Sequence, residues 1–473
     1  MAEKRLLVVG GGLTGLFAAW EASRVPGIQV VLLEKDLRLG GKVQTFAFPD
    51  GSHLEMGPDS FLLRNPLFLE ALQSLGLTSS LMEPRSLSPF IRFRGRFHRL
   101  PQGLSGIAPV DRRYLKSSLL SLRGKAAVTR DFSIPPRKMP PDHDESLFSL
   151  AARHFGEEWA ERVVSPLYGG IYAGDARELS AAFLQPQWLK DEEDQGSLIR
   201  AAKRRMKRGK GPSPFRTLPG GLETLVQRVE EDLRYRKVEI RKGEAVLRLA
   251  FHGGKVRLMT GRGDLQGEGV VLALPAPDAA ALLEDLDPDL SKLLRKEVWV
   301  KSGALLLRVA KADKRAAWEA HPLWQGSGFL VPLGEGAIIT GATVFSRKWP
   351  GLSSEAFHLR LFVGRRHEEE ALELGDEALF RKAWEELQAW AGPLPPPDEV
   401  MVSRFARAFP QYRVGHGRWV QAVRLKEKAY PWLVLAGTSY EGVAIPDAVG
   451  QGREAGRRGA SYLTGRPQPP STS

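Results

Sequence analysis

A chain of 473 residues exceeds what one simple core usually organises, so two or three subdomains are expected. With no cysteine, the chain has no disulfides, thiol nucleophiles, thiolate zinc sites or cysteinyl flavin links; its nine histidines form no HExxH pattern, so no metal site is expected. A formal net charge of +13 admits nucleic acid, an anionic membrane or a polyanionic small molecule as partner, and the lack of any nucleic-acid motif removes the first.

Hydrophobic residues make up 42% of the chain and charged residues 26%, ordinary values for a globular protein. No run of about 18 apolar residues appears, so no membrane span is expected and the chain reads as cytoplasmic. Absent cysteine, a single asparagine (Asn65) and abundant arginine hint at a thermophile.

Residues 4–9 read as a buried strand, 13–23 as a helix and 28–33 as a second strand, the size of one βαβ unit. Its apolar start could pass for a signal-peptide core, but the glycine spacing assigns it to a nucleotide-binding turn. Gly10, Gly11, Gly12, Leu13, Thr14 and Gly15 satisfy GxGxxG. Gly10 permits the tight turn, Gly12 lets the backbone approach a pyrophosphate, and Gly15 lets the helix pack closely on the sheet. Glu34, followed by Lys35, ends the second strand, where a carboxylate can accept hydrogen bonds from ribose hydroxyls. Arg38-Leu39-Gly40-Gly41-Lys42 is the R-x-G-G-[RK] run of glutathione-reductase-type FAD enzymes, and it favours FAD over a nicotinamide cofactor.

Beyond this unit, residues 109–199 are mostly helical and loop-like. Short β-runs return over 237–275, 296–345 is strand-rich, 376–391 is a helix and 393–397 a proline-rich loop. A last β-run at 432–436 leads into glycine-rich sequence and a helix. The fold class expected is α/β: a Rossmann-like FAD-binding domain of the glutathione-reductase type, an α+β substrate domain and a helical insert. The boundaries expected are 1–64, 223–287 and 419–465 for the first, 65–108, 200–222 and 288–418 for the second, and 109–199 for the insert. The tail 466–473, rich in proline and serine, is expected to be disordered.

Five further motifs stand in a fixed order: Met56-Gly57-Pro58-Asp59-Ser60-Phe61, Tyr168 to Asp175 (YGGIYAGD), Leu218-Pro219-Gly220-Gly221-Leu222, Pro410-Gln411-Tyr412, and Gly437 to Asp447 (GTSYEGVAIPD). This set resembles the oxygen-dependent protoporphyrinogen/coproporphyrinogen oxidases, nearest the bacterial branch, within the monoamine-oxidase-like superfamily. The resemblance implies FAD as cofactor, a porphyrinogen and O2 as substrates, and six-electron oxidation to the porphyrin with release of H2O2. It implies that Gly57, Pro58, Asp59 and Ser60 pass beside the flavin and that the Val246 backbone meets the adenine. It also implies that Gly437, Val443, Ala444 and Ile445 approach the flavin's pyrimidine end. Phe405 stands where some relatives carry a tryptophan, so stacking is retained and a hydrogen bond is not.

On the substrate side, relatives carry an arginine where Pro89 stands here. The following hairpin offers Arg92, Arg94, Arg96 and His98, expected to share one face where guanidiniums could meet carboxylates, though a solvated basic face needs no ligand. Gly170 and Ala173 of the YGGIYAGD run are candidate substrate contacts, as are Leu330, Val344 and Phe362, for which core packing is the plainer role. The run Lys203, Arg204, Arg205, Lys207, Arg208 and Lys210 is either a solvated helix face or a peripheral membrane contact. No catalytic base is assigned. An amine oxidase or carotenoid desaturase of the same superfamily, and a non-catalytic flavoprotein or escort protein, remain the competing readings.

Overall fold

The structure, a computed structural model, describes residues 4–207, 215–352 and 355–465. The expected tail, and Arg208 and Lys210 of the basic run, lie outside them. Strand β1 (Lys4–Val9), helix α1 (Leu13–Ala22) and strand β2 (Ile28–Glu34) form the predicted unit. Both strands are rich in valine and leucine and bury four or five consecutive residues, the pattern of parallel strands covered on both faces. Strands β3 (Glu239–Lys242), β4 (Gly269–Ala273) and β5 (Leu433–Ala436) complete a parallel sheet in the order β3-β2-β1-β4-β5. Segments far apart in sequence thus build one sheet.

Helix α2 (Ile445–Thr464) closes the fold against α1. The two backbones touch. A Cβ at Gly452 would lie 2.3 Å from the Thr14 carbonyl oxygen, and one at Gly456 2.3 Å from that of Ala18. Beside this stripe, buried Arg453 donates from Nε to Glu21 (2.6 Å) and from Nη1 to the Leu67 carbonyl (2.7 Å).

A second, seven-stranded sheet runs in the order 399–410, 299–309, 357–363, 339–344, 328–330, 90–93, 96–99. All neighbours are antiparallel except 328–330 with 90–93. Side chains alternate between its faces. One face, with Leu305, Leu307, Val344, Leu359 and Leu361, forms a core with Trp318, Trp324 and the predicted helix Asp376–Ala391. The other carries Ala304, Leu306, Arg360, Phe362 and Ser403 toward the first sheet.

Two expectations fail on this alternation. Val344 pairs with Leu359 and is fully buried, while Phe362 pairs with Gly341 and is half-buried on the opposite face. The two cannot line one slot. In the hairpin, Arg94-Gly95 is a two-residue turn, with Arg94 at φ 48° and Gly95 at φ 76°, so Phe93 pairs with Arg96 and Arg92 with Phe97. The turn reverses the alternation: Arg92 stands on one face, Arg96 and His98 on the other. Arg92 stacks over Trp390 at 4.1 Å and pairs with Glu335 at 3.4 Å, and the Arg94 N–H donates to the same carboxylate at 3.0 Å.

The segment between the hairpin and residue 207 is mostly helical, around Leu147, Phe155, Trp159 and Val163. Ala202 of the basic helix Leu198–Lys207 joins this core together with Leu198 and Ile199, although the expected boundary, ending the insert at 199, placed Ala202 with the second sheet. Likewise Phe68, Leu72, Leu218 and Leu222 pack with α1 and α2, and Leu290 and Leu294 beneath the first sheet.

Candidate functional site

The carboxyl ends of β1, β2, β4 and β5 open onto one cleft, the place where open α/β sheets bind ligands. Its glycines divide by what surrounds them. A Cβ at Gly15 would sit 1.7 Å from the Gly10 carbonyl oxygen, and one at Gly10 2.5 Å from that of Ala273. Around Gly12 nothing lies within 4 Å of that point. Open space sits directly before the N-terminus of α1, where amide N–H groups and the helix dipole favour an anion. Leu13 and Thr14 are buried in the first turn.

Glu34 is buried at the end of β2. Its Oε2 accepts the Gly11 N–H (2.5 Å) and its Oε1 the Asp36 N–H (2.9 Å), which orients the carboxylate while lone pairs remain for a ribose. Lys35 is exposed. The Gly40 N–H donates to the Gly11 carbonyl (2.8 Å), and a Cβ at Gly41 would lie 3.3 Å from Gly12 Cα, so the second glycine run lies against the first. Arg38 folds back onto its own loop, donating to the carbonyls of Leu39 (3.0 Å), Val43 (3.1 Å) and Gly41. The Lys42 ammonium stands 4.6 Å from the Trp299 ring centroid. The turn before Val246 docks beside β2, with Gly243 and Glu244 donating to the carbonyls of Asp36 and Glu34 (both 2.9 Å).

Residues 56–60 are clamped from two sides. Ser403 donates to the Met56 carbonyl (3.0 Å), and Arg360 donates to the carbonyls of Glu55 (2.9 Å) and Gly57. Phe405 lies across from Gly57, 3.7 Å from where its Cβ would be. Buried Asp59 accepts two hydrogen bonds from Lys348 (2.9 Å each) and one from Ser60 (2.8 Å). Burial alone would raise the Asp59 carboxyl, but Lys348 and Arg360 outweigh it and hold the group well below the usual carboxylate range. Glu55 behaves oppositely. Burial pushes it up to about 8, although it accepts from the Leu222 N–H (2.7 Å) and the Thr45 hydroxyl (3.0 Å).

At the far end three motifs meet. The Tyr412 hydroxyl donates to the Thr438 carbonyl, Gln411 Nε2 donates to the Tyr172 carbonyl (3.1 Å), and Asp447 accepts the Ala444 N–H (3.2 Å) where α2 begins. Gly437 and Gly442, at φ 130° and 145°, make the turns that bring Val443, Ala444 and Ile445 back to the cleft. Burial and the nearby Asp447 carboxyl push the Tyr172 phenol up to about 12.

Above the cleft a row crosses the second sheet: Leu330, Gly341, Phe362, Ala304 and Ser403 are successive cross-strand partners on one face. A Cβ at Gly170 would lie 2.6 Å from Leu330 Cδ2, so the YGGIYAGD run borders this row. Ala173, in the left-handed region at φ 47°, accepts the Arg366 N–H (2.8 Å) and turns the chain there. Gly341 leaves a shallow floor between half-buried Leu330 and Phe362.

Sequence reasoning missed Glu297, Trp299, Lys348 and Arg360. Arg360 carried a signal: it is a lone cation amid the apolar strand Phe357–Val363. Glu297 and Trp299 sit in no motif.

Residues 13–458 match the family described as flavin containing amine oxidoreductase. The chain is 32% identical to a Bacillus subtilis (strain 168) protein named coproporphyrinogen III oxidase, over 98% of this chain and 99% of the relative. It is 29% identical to a Bos taurus protein named protoporphyrinogen oxidase, over 96% and 98%. A crystal structure from Exiguobacterium sp. 255-15, of a protein provisionally named protoporphyrinogen oxidase, matches at TM-score 0.87 and 31% identity, over 98% of this chain and all of that one. Matched along nearly its whole length, the chain belongs to the flavin-containing amine oxidoreductase family.

Proposed function

We propose that the flavin is FAD and that the protein oxidises a porphyrinogen, coproporphyrinogen III ahead of protoporphyrinogen IX, in haem biosynthesis. The observation that carries this reading is the row Leu330–Gly341–Phe362, a flat apolar strip bordered by Gly170 that leads to the cleft at Gly57. Full-length similarity to relatives bearing both porphyrinogen names supports it. Gly12 and the start of α1 would hold the pyrophosphate, Glu34 the ribose, the Val246 backbone the adenine, and residues 57–60, Phe405 and the start of α2 the ring system.

A bound flavin supplies a two-electron acceptor; three turnovers against O2 convert one porphyrinogen and three O2 into porphyrin and three H2O2. The chain's part is positioning. Arg360 and Ser403 spend their donors on residues 55–57, keeping that backbone against the cleft, and Phe362 and Leu330 keep water from the face of a tetrapyrrole. The Arg92 guanidinium is already paired with Glu335, so propionate contact by Arg92 would require displacing that carboxylate, whereas Arg94 binds Glu335 only through its backbone N–H. The four propionates of coproporphyrinogen, against two in protoporphyrinogen, suit the chain's +13 charge. Exposed Leu115, Leu122 and Phe132, among Arg112, Arg123, Arg130 and the basic helix, would meet an anionic membrane peripherally.

The test is aerobic turnover. Purified protein given coproporphyrinogen III should produce fluorescent porphyrin and H2O2 well above autoxidation, and more slowly from protoporphyrinogen IX. No acceleration with either substrate, or turnover of a polyamine instead, overturns the reading.

A further inference from the structure

A buried acid lies at the cleft wall, outside every motif. Glu297, 9% exposed, precedes the strand Trp299–Val309 and touches three parts of the chain. Its Oε2 accepts the Ser439 hydroxyl (2.6 Å) and the Trp299 indole N–H (2.7 Å). Ser439 in turn accepts the Ala276 N–H (2.9 Å), which ties the acid to the segments after β4 and β5. Lys42 stands over the same indole that donates to Glu297. The other carboxylate oxygen, Oε1, is buried and without a hydrogen-bond partner. No hydrogen bond or ion pair ties down the Lys42 ammonium among the described residues. A half-satisfied buried carboxylate is costly, and its placement beside a cation at a phosphate cradle calls for an explanation.

We propose that Glu297 is a positioning residue that makes FAD binding proton-linked: it offsets the Lys42 charge in the empty cleft and takes up one proton when the pyrophosphate draws Lys42 away. This rests on the FAD reading above. The step is balanced: one proton passes from solvent to Glu297 Oε1, and Lys42 keeps its own as it moves from its place over the Trp299 ring to a phosphate.

The electrostatics of these residues agree. Burial pushes Glu297 up to about 7 against the opposing pull of Ser439, Trp299 and Lys42, and burial pushes Lys42 down to about 8 against the pull of Glu297. The other titratable groups facing Glu297 are the Tyr412 and Tyr440 phenols, both raised by burial and by this carboxylate and so neutral over the same range. Arg424, beside Tyr440, is paired with Glu427 and Glu441. A dianionic ligand removes the counter-charge and adds repulsion, so protonated Glu297 becomes the favoured form. FAD affinity should then fall as pH rises through neutrality, by at most tenfold per pH unit for one linked proton.

Calorimetric titration of FAD into the full chain stripped of flavin, in two buffers of different ionisation enthalpy, counts the protons taken up. The wild type should take up part of one proton per FAD above neutrality, and its Kd should rise with pH. In a Lys42→Arg background, whose cation stays charged throughout, Glu297→Gln should abolish both while still binding FAD. Lys42→Met should abolish the uptake too, because Glu297 would already hold its proton in the empty cleft; this variant carries the test should Glu297→Gln fold poorly. FAD binding without proton uptake, or unchanged uptake when Glu297→Gln is added to Lys42→Arg, overturns the proposal alone. A stripped chain that binds no FAD overturns the cofactor reading and this inference with it.

Discussion

Gly12, just before α1, and the packed glycines Gly15 of α1 and Gly456 of α2 look alike in sequence and do opposite work. At Gly456 the place of a Cβ is taken by the Ala18 carbonyl, 2.3 Å away, and at Gly15 by the Gly10 carbonyl. At Gly12 it is empty, and the backbone there (φ −69°, ψ 176°) is one any residue adopts. Two of these glycines exist so that protein can touch protein. The third borders open space, which on the proposed reading a pyrophosphate fills.

Substitution can break that distinction. Gly456→Ala should push α2 off α1 and destabilise the fold by about 3 kcal/mol, read by urea unfolding. The sheet faces sharpen it next. Val344→Ala should cost about 2 kcal/mol of stability and leave the Michaelis constant for a porphyrinogen unchanged. Phe362→Ala should raise that constant severalfold at a smaller stability cost, and the reverse pattern would overturn the assignment of faces. Gly12→Ala should unfold like wild type yet bind FAD at least tenfold more weakly, about 1.4 kcal/mol. Equal FAD affinity in that variant would mean that the open space is not a phosphate seat.

The smallest effect lies in the helical segment, whose buried ionic cluster contrasts with the cleft's. His154 is fully buried, its Nδ1 2.7 Å from Asp131 and its Nε2 3.3 Å from Glu192. Burial alone would lower its pKa, but hydrogen bonds to the two carboxylates outweigh that and raise it. The native state therefore favours the charged ring. This contribution is complete below the ordinary histidine range and is lost as pH rises through the raised value. Melting temperature should fall as pH is raised through that window, and His154→Gln should flatten the decline.

The first two strands of the first sheet and the helix between them were legible because their signals are local. A short apolar run, a glycine spacing and a terminal acid all fall within 35 residues, and their geometry follows from the chain's own stereochemistry. The helix Asp376–Ala391 was legible from its period alone. The second sheet was harder because a strand's period says which residues share a face but not which face meets the ligand. Val344 and Phe362 were grouped for chemistry and parted by register. Arg92 was grouped with Arg96 by counting through a turn that inverts the count. Lys348 reaches Asp59 and Glu297 reaches Ser439, partners brought from far along the chain, so no local spacing marks them.

The contact of α1 with α2 also sets a timetable. During synthesis a ribosome releases α1 first, then the helical segment and the whole of the second sheet, and only afterwards β5 and α2. Until those last elements emerge, the buried flank of α1 has no partner and the far wall of the cleft does not exist. Loading with cofactor therefore belongs to the finished polypeptide, and the nascent N-terminal portion must wait with an apolar helix side uncovered, in need of shelter from its neighbours.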